Sequence, residues 1–336
     1  MHLVPLLLAA LVAVPEPTEQ VLFAAGKDGY HTYRIPALAV TSKGSVLAFC
    51  EGRKTSASDR GDIDLMYKRS TDAGVTWSPM MLLHEEGGDA KIVIGNPCVV
   101  VDGDAVILVF TRNAHDVFVT RSEDDGKTWA KPREITKDVF GKDWTWFVAG
   151  PGNGIVLKRG PHAGRLVMPC DHRVKVLKDR GPALHSHAIY SDDHGRTWKS
   201  GAATDSHMNE CAVVERADGS LLMNMRSYRG KGQRATTVST DAGETWGPSV
   251  DEPALPDPVC EGSIIRYSDK TLLFSNAADA RKRVNLTLRR SDDDGKTWPI
   301  ATTICAGPAA YSALARLADG TILLCYERGP YREIVL

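Results

Sequence analysis

The 336-residue chain has no excess of either charge: 41 Lys and Arg stand against 42 Asp and Glu, for a formal net charge of −1 and a pI near 6.8. Such a balance supplies no general attraction to nucleic acid or to an anionic membrane surface, so charged ligands have to be recognised by local clusters. No internal apolar run is long enough to cross a bilayer. The seven cysteines, at 50, 98, 170, 211, 260, 305 and 325, include no close pair. An odd number so spaced offers neither a disulfide framework nor a zinc site. They lie in apolar, strand-like runs and read as small buried hydrophobes. Helical periodicity is scarce, and no linker or low-complexity segment divides the chain.

At the N-terminus, Leu3 to Val14 form a short apolar stretch closed by Pro15-Glu16-Pro17. It resembles the hydrophobic region of a signal peptide, with Ala13 as a fitting cleavage position, although Met1-His2 lacks the usual basic residue. Residues 1–14 are therefore expected to be an export signal. The chain is expected to be secreted, periplasmic or lysosomal, a placement that the cysteine count does not favour.

What the chain does have is a repeat. The octapeptide Ser-x-Asp-x-Gly-x-Thr-Trp occurs five times without a mismatch, at Ser70–Trp77, Ser122–Trp129, Ser191–Trp198, Ser239–Trp246 and Ser291–Trp298. The copies recur every 50 residues or so, with one gap of about 70, which is the range of propellers and repeat arrays. Gly supplies the positive φ of a tight turn, Asp accepts backbone hydrogen bonds from two or three residues on, and Trp pins the turn to neighbouring strands. The repeat reads as a hairpin tip that serves the scaffold and carries no chemistry.

A second pattern precedes each tip: apolar strand, Gly- or Asp-rich turn, apolar strand. The copies are Ala37–Arg53, Cys98–Arg112, Ile155–His172, Cys211–Arg226, Ser263–Asn276 and Ala313–Arg328. A short third strand follows most of them, at Asp64–Lys68, Val117–Thr120, His187–Tyr190, Ala235–Val238 and Leu286–Arg289. Six such units of four strands describe an all-β, six-bladed β-propeller spanning residues 20–336 as one domain. The last unit lacks a tip, and the segment around Gln20 to Ala24 is placed to complete it and close the ring. The strand ends are polar in nearly every unit: Arg53 and Asp59, Arg112-Asn113, Asp171-His172, Arg226, Asn276 and Glu327. Six such ends are expected to converge on a polar site at the axis.

With Tyr33-Arg34-Ile35-Pro36 ahead of the first unit and five Asp boxes behind it, the chain resembles the sialidases (exo-α-neuraminidases) from Phe23 to Tyr331. That resemblance implies hydrolysis of terminal α-linked sialic acids from glycans, glycoproteins or glycolipids, without a metal or organic cofactor. A sialoside bears a carboxylate on its anomeric carbon, and arginine forks suit a planar carboxylate. By resemblance, Arg34, Arg226 and Arg283 form the carboxylate clamp, with Arg281 and Lys282 as close rivals of Arg283. Arg53 matches a substrate-contacting arginine, and Glu327 matches the carboxylate that orients Arg34. An anionic nucleophile would approach a sialoside against like charge, and sialidases use a tyrosine instead. Tyr311 matches that nucleophile and Glu210 its base; Asp59 matches the general acid, with Asp62 and Asp64 nearby. Trp144 and Trp146, outside the boxes, fit either packing or a subsite wall. The opposing reading is a propeller that binds sialic acid without cleaving it.

Overall fold

The computed structural model describes residues 18–175 and 183–336. The apolar N-terminal stretch, residues 1–14, lies outside them. The described chain is a six-bladed β-propeller. Blade 1 is a meander of Thr32–Val40, Val46–Arg53, Ile63–Ser70 and Met81–His84. Blade 2 runs through Ile94–Asp102, Ala105–Arg112, Asp116–Ser122 and Arg133–Glu134. Blade 4 contains Met208–Glu215, Leu221–Ser227, Gln233–Ser239 and Val250–Pro256.

Blade 3 departs from the expected strand–turn–strand at Ile155. Its first strand begins earlier, at Trp144–Ala149, and resumes at Ile155–Val156, both pieces pairing with Leu166–Val174. Between them, Gly152 and Asn153 pair in parallel with Cys98 and Val99 of blade 2. The long gap between the second and third boxes is thus filled by one interrupted strand and the short helix Thr136–Val139. Trp144 stacks on His172 at 3.7 Å and packs on the apolar core, so packing, not a subsite, accounts for it.

Blades 5 and 6 share one long strand, Ile300–Arg316. Its first half, to Pro308, pairs with Val284–Ser291, and its second, from Ala309, with Ile322–Arg328. The ring closes as expected: Val21–Ala24 pairs with Glu333–Val335, so the two ends of the propeller share blade 6. Across the axis, Asn153 of blade 3 donates to the Leu314 carbonyl of blade 6 at 3.1 Å.

Every blade buries both faces, which is why its second strand reads as a continuous apolar run. In Val46–Arg53, Leu47 and Phe49 face Leu108 and Phe110 of blade 2, while Val46, Ala48 and Cys50 face Ala313 and Cys325 of blade 6. Each large side chain so buried contributes about 1.5–3 kcal/mol. The box tryptophans plug these seams: Trp77, Trp129, Trp198, Trp246 and Trp298 pack on five separate inter-blade cores. All seven cysteines are free thiols, six of them buried.

The boxes themselves fold alike. In each, the Asp carboxylate accepts from the Thr backbone N–H at 2.8–2.9 Å and from the Thr hydroxyl, while the Ser hydroxyl accepts from the Gly N–H. The reach is four residues in all five, two longer than a simple Asx-turn.

Candidate active site

Part of the axial site is built on defects in the first strands of the blades. The pairing register slips between Arg34 and Ala37, Gly95 and Cys98, Met208 and Cys211, and Ala309 and Ser312. The residues inside these bulges include Ile35, Asn209, Glu210 and Tyr311. A bulge places two residues opposite one and re-aims the strand end. Ile35 shows how hard the chain is bent, since a β-branched residue sits there at φ 61°. Its N–H is held by the Glu327 carboxylate at 2.9 Å.

Arg34 is almost wholly buried. Its Nε and Nη2 donate to the two oxygens of Glu327 at 2.9 and 3.1 Å, a bidentate fork. Glu327 is completely buried and also accepts from the Tyr311 N–H at 3.3 Å. One carboxylate thereby ties blade 1 to the first two strands of blade 6. Arg226 Nη1 donates to Glu210 at 2.6 Å and to the Tyr311 hydroxyl at 3.0 Å. Arg283 lies over the Tyr311 ring at 5.5 Å, with Arg34 at 5.0 Å. The rivals of Arg283 fall away, because Arg281 and Lys282 are exposed and cap Asp279 through their backbone N–H groups.

The Tyr311 hydroxyl donates to Glu210 at 2.5 Å. Burial, and then the Glu210 carboxylate, push the phenol well above its usual range, against the pull of Arg226 and Arg34. The resting phenol is therefore neutral and faces the carboxyl group that Arg226 holds. Asp59 reaches this group from an exposed loop. Its carboxylate is 81% exposed, 2.8 Å from Arg53 Nη1 and 3.5 Å from Arg34 Nη1. Arg53 is only 2% exposed; Glu51 holds its Nε and Nη2, so the Asp59 side is the part it turns to the site. Asp62 and Asp64 do not join. Both are buried near Lys54, and Asp64 accepts from the Tyr30 hydroxyl.

Three of the cations have carboxylate partners: Arg34 has Glu327, Arg226 has Glu210 and Arg53 has Glu51. Arg283 has none among the described residues, and Asp59 is the remaining acid. Arg283 is thus the arginine of the site that no carboxylate holds, which leaves it open to the carboxylate of a ligand. Two further buried carboxyls, Asp171 and Glu261, are pushed well up, by burial first and with Glu210 acting in the same direction, so they add little negative charge.

Several strand-end residues do not converge. Arg112 is taken by Glu86 and Asp116, and Asn113 caps the Val93 N–H. His172 packs against Trp144 and His187, and Asn276 is buried on Pro256 and Asp257. These side chains find partners in their own blade or its seam. Asp171 sits behind the site, bound to Asn209. Two tyrosines were missed. Tyr228 accepts from Arg226 Nη2 at 2.8 Å, and Tyr331 lies 4.1 Å from the Arg34 guanidinium. Their only sequence signal is proximity: Tyr228 lies two residues after Arg226 and Tyr331 four after Glu327.

The BNR repeat-like domain family matches residues 43–324 of this chain. A sialidase of Micromonospora viridifaciens is 37% identical over 346 residues, covering 94% of this chain and 53% of that protein. An exo-alpha-sialidase of Aspergillus fumigatus is 33% identical over 309 residues, covering 80% of this chain and 70% of that one. Among solved structures, a Hadza microbial sialidase superposes with a TM-score of 0.82 at 31% identity, over 93% of this chain and 66% of that one. The chain thus spans about half the length of the Micromonospora relative.

Proposed function

This chain belongs to the sialidase family, and on that premise we propose that it is an exo-α-sialidase, releasing terminal α-linked sialic acids from glycans, glycoproteins or glycolipids with retention. The observation that carries the reading is the Tyr311 hydroxyl held between Glu210 Oε1 at 2.5 Å and Arg226 Nη1 at 3.0 Å. A phenol with a base on one side and a cation on the other is an activated nucleophile.

Arg34, Arg226 and Arg283 clamp the substrate carboxylate. Arg34 arrives prepaired with Glu327, so little side-chain freedom is lost on binding. Tyr311 Oη attacks the anomeric carbon as its proton passes to Glu210. The glycosidic C–O bond breaks, and its oxygen takes the proton of Asp59, which Arg53 orients. In the second half, Asp59 removes a proton from water, water displaces Tyr311, and Glu210 returns the proton to the phenol. Two inversions give retention. Side chains carry every proton and bond, so the scheme calls for no metal or organic cofactor. Export, suggested by Leu3 to Val14, would bring the enzyme to extracellular or lumenal glycans.

Hydrolysis of a fluorogenic α-sialoside tests the reading. Tyr311→Phe is expected to abolish retaining turnover. Asp59→Ala is expected to lose about 10²–10⁴-fold with a natural sugar leaving group and less with an activated aryl one, which needs no acid. A wild-type protein that binds sialic acid without hydrolysing the sialoside would make this a binding propeller instead.

A further inference from the structure

Tyr331 lies in the turn of blade 6 after Glu327, and three observations set it apart. It holds a bulky side chain at φ 58°, in the left-handed region that favours Gly or Asn. Its ring lies 4.1 Å from the Arg34 guanidinium, on the small apolar group of Ile35, Ala310 and Tyr311. Its hydroxyl accepts from Arg283 Nη1 at 3.0 Å. The same side chain therefore touches two arginines that come from different blades. Arg34 and Arg226 each have a carboxylate to fix them, which also offsets their charge. Arg283 is fixed by two neutral oxygens, the Tyr331 hydroxyl and, at 3.4 Å, the Val259 carbonyl. A carboxylate in place of the phenol would hold Arg283 as firmly but would offset the charge that a ligand carboxylate is to meet. Strained backbone at a bulky residue persists where the surroundings over-determine it, and such strain gathers at functional sites. Here the turn itself gives no reason for a tyrosine, whereas the two guanidinium groups do.

We propose that Tyr331 is a positioning residue of the carboxylate clamp: its ring seats Arg34 and its hydroxyl aims Arg283, holding the two at a fixed separation while leaving the Arg283 charge available to the ligand. The proposal rests on the sialidase reading above. It separates the residue's role in function from its role in folding, because Asn suits the left-handed turn better than Tyr does.

The experiment compares wild type, Tyr331→Asn and Tyr331→Phe by thermal unfolding, by kinetics on a fluorogenic α-sialoside and by calorimetric binding of a non-hydrolysable 2,3-didehydro sialic acid. Tyr331→Asn is expected to melt at or above the wild-type temperature, yet to raise KM and weaken analogue binding about tenfold, with a smaller change in kcat. Tyr331→Phe keeps the ring over Arg34 and is expected to weaken binding about threefold through Arg283 alone. Analogue affinity within twofold of wild type in both variants would overturn the proposal. So would a Tyr331→Asn protein that melts lower and loses activity only in proportion to its unfolded fraction. A wild type that neither binds the analogue nor cleaves the sialoside would sink the sialidase reading, and this proposal with it.

Discussion

The Asp boxes and the axial site are both built on carboxylates and the donors that hold them, by opposite means. In a box, Asp72 meets Thr76 and Ser70 meets Gly74, so the bonds that close the turn span four residues. At the axis, Arg34 meets Glu327 across 293 residues of sequence and Tyr311 meets Glu210 across 101. The boxes are local devices repeated five times, and a defect in one leaves the others intact. The site exists once, and each member depends on the ring being closed. The environments differ as well. The hydroxyl and backbone donors of Thr76 hold the exposed Asp72 carboxyl down at about 2, whereas burial drives the Tyr311 phenol up. One region is tuned by hydrogen bonds in water, the other by removal of water.

Removing Glu327 should break this contrast most severely. Glu327→Ala leaves Arg34 buried without its carboxylate and the Ile35 N–H without an acceptor. A stability loss of about 3–5 kcal/mol is expected by urea denaturation, with loss of sialoside turnover even in the folded fraction. Next is a box tryptophan. Trp198 fills the seam between blades 2 and 3, and Trp198→Ala is expected to cost about 3 kcal/mol. Its kcat/KM per folded molecule should stay within twofold of wild type, because Trp198 packs in a seam away from Arg34, Arg226 and Arg283. A large change in KM here would mean that the seams transmit strain to the site. The smallest effect is expected from pH. Box carboxylates such as Asp72 and Asp193 titrate near 3.8 when unfolded and near 2 in the fold. The unfolded chain therefore binds protons first, and stability falls as pH drops across that window. Asp72→Asn should flatten the acid limb of a melting-temperature profile slightly and leave hydrolysis at neutral pH unchanged.

Much of the fold could be read from the chain alone. The boxes mark five hairpin tips, the six strand–turn–strand units set the blade count, and the strands Asp64–Lys68 and Leu286–Arg289 fall inside observed ones. The closing strand at Val21–Ala24 was also foreseeable, because the last unit had one strand too few. Blade 3 was less legible. Its first strand is cut in two by an excursion that pairs Gly152 and Asn153 with another blade, and no periodicity announces such a cut.

The site divides along the same line. The resemblance singled out Arg34, Arg53, Asp59, Glu210, Arg226, Arg283, Tyr311 and Glu327, and the structure brings them together. Arg112, Asn113, His172 and Asn276, chosen because they end strands, stay apart. Position along a strand says that a side chain is near the axis, while the partners it meets there come from other strands and blades. Sequence by itself determined the box turns and the number of blades, since their hydrogen-bond partners and apolar faces recur within a few residues. Only the tertiary structure decided which arginine turns inward, that Tyr331 bridges two of them and that Arg283 keeps its charge. Those outcomes depend on bulges, burial and contacts between blades far apart in sequence.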